Sequence, residues 1–305
     1  MGFRAFKAFA ATFAYLAEHW LLLLKAMWAP ALILTGLQLY AAPGLFSALS
    51  EFATLGPNPE PEAAAAAFSR LGAAGVFYLL AGLIFFPMLT VASLRHIVRG
   101  EEPRLPFHFA YGADETRIMG ANFLFNLMVI VIAVVADLAI GVLAAVIGLL
   151  GPAAAGALKA GGSVLTQLAT GWFQVRLSPL FPAVMATGTL GLGIAWNATR
   201  ASWLKVFVFW ILIGLVVAPI IVILLLPVSL AVAGDIGAVQ SGDAAAVAAF
   251  FQKISAALTP DAPGFFLAAA GIYAMTLIVN AIVNVASAVV WRYLAAMRDE
   301  QGGAA

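Results

Sequence analysis

Hydrophobic residues run in six long blocks along the chain, roughly 20–40, 71–94, 119–150, 158–182, 203–233 and 266–291. A helix needs about 20 mostly apolar residues to cross a hydrocarbon core, so each block predicts one membrane span. None shows the strict alternation of a barrel strand, and each is too long for one. The block at 119–150 exceeds one crossing, so its helix must tilt, kink near Gly141 or project beyond the bilayer. The expected fold class is all-α integral membrane, with six transmembrane helices in a single transmembrane domain over 1–305.

The segments between the blocks have patterns of their own. Phe3, Phe6, Phe9, Phe13 and Leu16 recur at helical spacing, while Arg4, Lys7, Ala11, Ala14 and Glu18 take the other face. This predicts an N-terminal amphipathic interfacial helix over 1–19, lying on an anionic leaflet or docked on the bundle as an elbow. Residues 41–70, with Pro-Asn-Pro-Glu-Pro at 57–61, read as one periplasmic loop. Residues 235–265 read as a second, holding a short helix from Asp243 to Leu258.

A faint repeat runs through this layout. Arg95, Arg176 and Arg292 each sit at the inner end of an even-numbered block, and an aromatic residue precedes Trp20 and Trp203 by seven positions (Phe13 and Trp196). An elbow helix followed by a transmembrane hairpin, used three times, would produce that order. Interfacial Arg and Trp at ordinary helix ends would account for the single residues but not for their sequence.

Composition narrows the function classes. Hydrophobic residues make up 64% of the chain and charged residues 10%, with a mean hydropathy of +1.04. A soluble domain has about 25% charged residues, so a soluble enzyme and a disordered chain are excluded. A net charge of +1 provides no field for nucleic acid. The absence of cysteine excludes disulfides, iron–sulfur clusters and thiol catalysis.

Charge placement then orients the spans. Arg4, Lys7, Lys25, Arg95, Arg99, Arg104, Arg117, Arg176, Arg200, Lys205, Arg292 and Arg298 fall on the side of the N-terminus; only Arg70, Lys159 and Lys253 fall on the other. By the positive-inside rule both termini are expected in the cytoplasm. Glu18 and His19 interrupt the stretch after Arg4 and Lys7, and Met1-Gly2 has Phe6 where a myristoylation site wants Ser or Thr. The first span is therefore expected to serve as an uncleaved anchor.

Polar residues inside spans are costly and usually face a bundle interior. Asn122, Asn126 and Asp137 share a face of the third block; Ser163, Gln167, Thr170 and Gln174 align on the fourth; Thr276, Asn280, Asn284 and Ser287 align on the sixth. They read either as interhelical hydrogen-bonding glue or as the lining of a polar path between spans three, four and six. The fifth block has no such stripe and is expected to face lipid. Arg176-Leu-Ser-Pro179-Leu-Phe-Pro182 breaks its helix twice beside an arginine, which either turns the chain or cradles an anionic head group. Arg95, Arg176 and Arg292 are the candidate head-group contacts. His19, His96 and His108 lack metal-ligand spacing, and no nucleophile, phosphate-binding or metallohydrolase motif is present. No enzyme activity and no cofactor are expected.

Two segments carry a resemblance. Leu94-Arg95-His96-Ile-Val-Arg99-Gly100-Glu101-Glu102-Pro103, and Arg176-Leu-Ser-Pro-Leu-Phe-Pro182 with the later Ala195-Trp196-Asn-Ala-Thr199-Arg200-Ala201, resemble signatures of YciC-like bacterial inner-membrane proteins. The same signatures occur in the membrane domain attached to some glycerophosphodiester phosphodiesterases. Ala201 stands where the pattern prefers Gly, and Pro179 where it prefers an apolar residue. The resemblance implies a multi-pass protein of the bacterial inner membrane, without the catalytic domain. The function expected is a non-catalytic envelope-support or accessory-subunit role, with transport or binding of a lipid or small molecule as the alternative. Expected partners are membrane lipids and a larger membrane complex or a second copy of the chain.

Overall fold

In a computed structural model the described residues, 3–55, 59–102, 111–149, 151–235 and 243–302, form helices joined by short turns, with no strand among them. Arg104, His108, Met1-Gly2 and Pro57-Asn58, all used above, lie outside them. Among the described residues ten α-helices follow in order: α1 Ala5–Thr54, α2 Pro61–Arg99, α3 Ala113–Gly148, α4 Pro152–Arg176, α5 Leu180–Thr187, α6 Leu192–Thr199, α7 Trp203–Leu224, α8 Leu226–Val232, α9 Ala244–Ala257 and α10 Phe265–Gly302. A 3₁₀ turn, Ala233–Asp235, follows α8.

Five of these helices (α1, α2, α3, α7 and α10) are long and apolar enough to cross a membrane. The block at 158–182, expected as the fourth span, overlaps the 25-residue α4, about 37 Å long at 1.5 Å per residue, which is not one of the five. Its Gly, Ser, Thr, Gln and Lys residues keep it out of that apolar set. It returns antiparallel to α3, with Ala155 beside Gly148, Gly162 beside Ile140 and Thr166 beside Asp137.

The elbow at 1–19 is not a separate element. Between Phe3 and Ala29 the chain has neither Pro nor Gly to stop a helix, so α1 runs on from Ala5 through Thr54. Its first turns still cross one end of the bundle. Phe3 packs edge-on against Phe209 of α7 and Tyr293 of α10, at 6.2 and 5.9 Å between ring centroids. Further along, Tyr15 and His19 lie against His96 of α2. Phe3, Ala8, Thr12 and Leu16 are buried and Phe9 and Phe13 pack half-buried against the core, so of the expected apolar row Phe6 alone is exposed, and the small Ala8 and Thr12 let the helix approach closely.

The loop at 41–70 shrinks as well. Residues 41–54 are helix formers that continue α1 past Pro43, and Pro61 takes the first position of α2, where its missing N–H costs nothing. The short helix in 235–265 forms as expected, with the Asp243 carboxylate accepting from the Ala245 N–H at its start and Leu258 at its end. It packs on the end of α1, through a hydrogen bond from Ser255 Oγ to the Pro43 carbonyl (2.9 Å) and the ring pair Phe46–Phe251. The fifth block is divided at Leu225, before Pro227, into α7 and α8. One face of α7, formed by Val206, Phe209, Ile213 and Val217, is buried rather than lipid-facing.

The elbows do not recur as one structure. The first is fused into α1, the third is the helix pair α5–α6, and much of the second lies outside the described residues. Gly188 and Gly191 join α5 to α6 with φ near +68° and +66°, a left-handed conformation that favours glycine. A Cβ on Gly191 would also press on Val184 at 3.2 Å.

The main core sits at one end of the bundle, where Phe3, Leu94, Ile97, Leu180, Met185, Phe209, Val285 and Val290 are all sealed. The basic residues Arg95, Arg99, Arg117, Arg176 and Arg292 gather there, and it is called the basic end below. A small cluster of Ala42, Leu258 and Ala268 closes the opposite end. Near it α10 passes so close to α7 that a Cβ on Gly271 would collide with the Leu224 carbonyl.

Candidate functional site

The Pro-rich break after α4 shapes the site. Leu177 ends α4, Pro179 supplies no N–H to extend it, and the chain turns at once into α5. This places Ser178, Leu180 and Phe181 under the gap between the α3–α4 hairpin and the rest of the bundle. The gap is a half-open cavity of about 540 Å³. Phe125 of α3 and Gly171 and Gln174 of α4 line it from the hairpin, and Phe86 lines it from α2. Phe207 and Trp210 of α7, with Val283, Asn284 and Ser287 of α10, complete the lining.

Aromatic and aliphatic groups dominate this lining, and its polar members are uncharged. Asn284 is buried and donates from Nδ2 to Ser93 Oγ on α2 at 2.8 Å. Two other polar atoms are orphaned. Ser178 Oγ and Trp210 Nε1 are buried and have no hydrogen-bond partner among the described residues. A neutral buried donor without a partner costs about 1–3 kcal/mol, so these atoms mark a place where protein alone does not complete the bonding.

Of the seven expected polar-face residues, the structure brings two, Gln174 and Asn284, to this cavity. Asn280 turns back on its own helix, donating to the Thr276 carbonyl at 2.7 Å. Asn126 is exposed and donates to the Asn122 carbonyl and Oδ1 at 2.8 and 2.9 Å, so that pair satisfies itself locally. Asp137 is exposed, accepting from Thr166 Oγ1 of α4 at 3.1 Å, and Gln167 is exposed too. The cavity takes Gln174 from the fourth stripe and Asn284 and Ser287 from the sixth, and its lining does not include Asn122, Asn126 or Asp137 of the third. The hairpin contact uses small groups instead: Ala144, Gly162 and Thr166 are buried, and a Cβ on Gly162 would lie 2.6 Å from Ile140.

The three candidate head-group arginines are engaged by protein groups. Arg95 pairs with Asp114 at 3.3 Å and with Glu115 at 3.2 Å. Glu115 has a fully buried side chain and also accepts from the Gly112 N–H at the start of α3. Arg99 adds a 2.8 Å bond to Asp114 and donates to the Met185 carbonyl of α5. Arg292 donates to the Ile97 carbonyl at the end of α2. Arg176, 4% exposed, donates to the Trp196 carbonyl of α6 at 2.8 Å and stacks between Trp196 (4.2 Å) and Trp172 (5.8 Å). Thr199 Oγ1 completes that clamp by donating to the Arg176 carbonyl.

The polar turn 113–117 precedes the apolar run of α3. There, burial pushes the Asp114 carboxyl up, but the hydrogen bonds and charges of Arg99 and then Arg95 outweigh it and hold the carboxyl below its ordinary value. These ties draw α2, α3 and α5 together and give the cavity a fixed floor.

Trp210, Phe86, Phe125 and Phe207 were not singled out by sequence reasoning, whereas Ser178 and Phe181 lie in the Pro-rich segment 176–182 that was. A Ser beside Pro and a Trp within an apolar helix carry no signal of meeting across a gap. No family model, curated protein or solved structure matches the chain.

Proposed function

We propose that this chain is a non-catalytic multi-pass protein of a bacterial inner membrane that binds a lipid or lipid-like small molecule in the cavity between the α3–α4 hairpin and α2, α7 and α10. The observation that carries this reading is the cavity itself: its volume of about 540 Å³ lies within the 300–1,000 Å³ of ordinary ligand sites, and its mostly apolar wall with a few polar groups is their usual chemistry. The gathering of arginines at one end supports a cytoplasmic placement of that end and of both termini. The resemblance to YciC-like proteins supports the inner-membrane assignment.

The tagged full chain, extracted in a lipid-preserving polymer, is expected to carry one lipid class enriched over the bulk membrane, read by lipid mass spectrometry. Gly171 lines the cavity and has open space at its Cβ position, so Gly171→Leu should fill the cavity and abolish the enrichment. A bound-lipid profile equal to the bulk membrane's in the unmodified protein would remove the reading.

A second reading, an accessory subunit of a larger membrane complex or a homo-oligomer, is favoured by the hairpin. Asn126, Asp137 and Gln167 are exposed there among apolar neighbours, and polar groups facing hydrocarbon are costly. In the same preparation a stoichiometric second protein, lost on substituting those three residues by Leu, would carry that reading. A monomer indifferent to the substitutions would sink it.

A further inference from the structure

We propose that the cavity takes the acyl chain of an anionic phospholipid whose phosphate docks outside it, on Arg200 and Lys205 where α6 meets α7. The proposal rests on the lipid-binding reading above and adds the charge and the placement of the head group. Charge balance carries it. Arg95, Arg99 and Arg117 share the carboxylates of Asp114 and Glu115. From α4 to α8 no such balance exists, because the chain has no Asp or Glu between Asp137 and Asp235. Arg176 is buried there against the rings of Trp172 and Trp196 and the Trp196 carbonyl, with no carboxylate paired to it among the described residues. Arg200 lies close enough for its charge to act on Arg176, and both Arg200 and Lys205 are exposed. Neither of these two side chains has a hydrogen-bond or ion-pair partner among the described residues. Cations left without a counter-ion at a membrane surface attract anionic lipid, by about fivefold in affinity for each Lys or Arg.

The surroundings favour a lipid over a soluble anion. Trp203, Leu204 and Phe207, on the first turns of α7, are 38%, 58% and 36% exposed. A group that reaches these cations therefore lies against apolar side chains, and a phospholipid supplies both the anion and the hydrocarbon. Trp203, Phe207, Trp210 and Ile211 follow at helical spacing and share one face of α7, and the last three line the cavity. That face leads from the cations to the cavity. Head outside and chain inside also suits the lining. Among the described residues it holds no Asp, Glu, Lys, Arg or His, and a charge placed within it would lose its hydration without a counter-ion.

The purified full chain is delipidated in detergent and offered equal amounts of dioleoylphosphatidylglycerol, dioleoylphosphatidylcholine and dioleoylglycerol, with bound lipid read by native mass spectrometry. The three share their chains and differ in the head group, and phosphatidylglycerol should bind most tightly. Arg200→Gln combined with Lys205→Gln should cut its preference over phosphatidylcholine by about 25-fold, fivefold for each charge. Because neither side chain is bonded to protein, the lipid-free double variant should melt at an unchanged temperature. Lys159→Gln removes an exposed cation near the other end of α4 and should leave the preference intact. Gly171→Leu, which fills the cavity, should displace the phospholipid. Phosphatidylcholine or dioleoylglycerol binding as tightly as phosphatidylglycerol overturns the proposal and leaves the lipid-binding reading standing. An unchanged preference in the double variant, or an equal loss in Lys159→Gln, does the same. Phosphatidylglycerol binding that survives Gly171→Leu places the lipid outside the cavity and overturns both. Failure of all three lipids to bind the unmodified chain also removes the lipid-binding reading together with the proposal.

Discussion

At the basic end, Leu94, Ile97, Leu180, Val285 and Val290 are sealed from their surroundings, while along the hairpin Ile130, Val134, Leu138, Val142, Leu165 and Leu168 are each more than half exposed. Both regions are helical and apolar, yet they are held differently. Side chains from α1, α2, α5, α7 and α10 interlock at the basic end, and ion pairs from α2 to the start of α3 tie its rim. Only 6% of the most apolar window of α3 is buried, so beyond its first turns the hairpin relies on its own small-residue seam and on surrounding lipid. The cavity lies between the two regions. One wall is fixed by core packing and the other is carried on an element with few anchors, an arrangement that leaves a gap a lipid can fill.

The same chemical change made in each region tests this contrast most strongly. Glu115→Gln removes a fully buried charge from Arg95 and should cost about 3 kcal/mol. Asp137→Asn, on the exposed hairpin, keeps an acceptor for Thr166 and should change stability by less than about 0.6 kcal/mol. Thermal unfolding of the two purified variants in one detergent compares them directly. Equal losses would mean that the hairpin is as tightly held as the basic end.

Acidification should act on the basic end through Asp114. Asp114 has its carboxyl held below the ordinary value, so its contribution to stability is present in full above the unfolded-state pKa of about 3.9. It is lost as pH falls through the folded value. The melting temperature should be flat from about pH 7 to 5 and decline below about 4, and Asp114→Asn should flatten that acid limb. An unchanged acid limb in the variant would assign the decline to other carboxylates.

Within the hairpin, neighbouring glycines make a smaller and more local test. Gly162→Ala forces a methyl against Ile140 and should cost about 1–2 kcal/mol. Gly161→Ala meets open space and should gain about 0.5–1 kcal/mol from helix propensity. The smallest effect is expected from Thr166→Val, which removes one hydrogen bond to Asp137 worth about 0.6 kcal/mol. Cross-linking between cysteines placed on α3 and α4 would report whether Gly162→Ala splays the pair, which Thr166→Val should leave closed.

Much of the architecture was readable from residue order alone. The spans at 71–94 and 266–291 lie inside α2 and α10, and the short helix from Asp243 to Leu258 was bounded by its own capping residue. The stripe Thr276–Asn280–Asn284–Ser287 does face inward, because one side of α10 is covered along most of its length. The α3 and α4 stripes meet only in part, Asp137 bonding Thr166 across the hairpin and Gln174 reaching the cavity while Asn122 and Asn126 bond each other, and the reason is physical. A helix that is apolar all round gives periodicity nothing to distinguish, and the close contact went to Gly162 and Thr166, whose small size the polarity pattern does not register.

Hydropathy determines by itself that this chain is built of long membrane-crossing helices, because transfer into hydrocarbon is a property of each segment with no need of a neighbour. The clustering of arginines near segment ends is equally local. Which residues meet across the bundle depends on helix rotation, close approach and ties between distant segments. Gly162 against Ile140, Gly271 against Leu224 and Arg95 with Glu115 settle those relations, and each joins two segments whose pairing no local pattern encodes. Only the tertiary structure could therefore bring Ser178 and Trp210 to one cavity and leave Asp137 outside it.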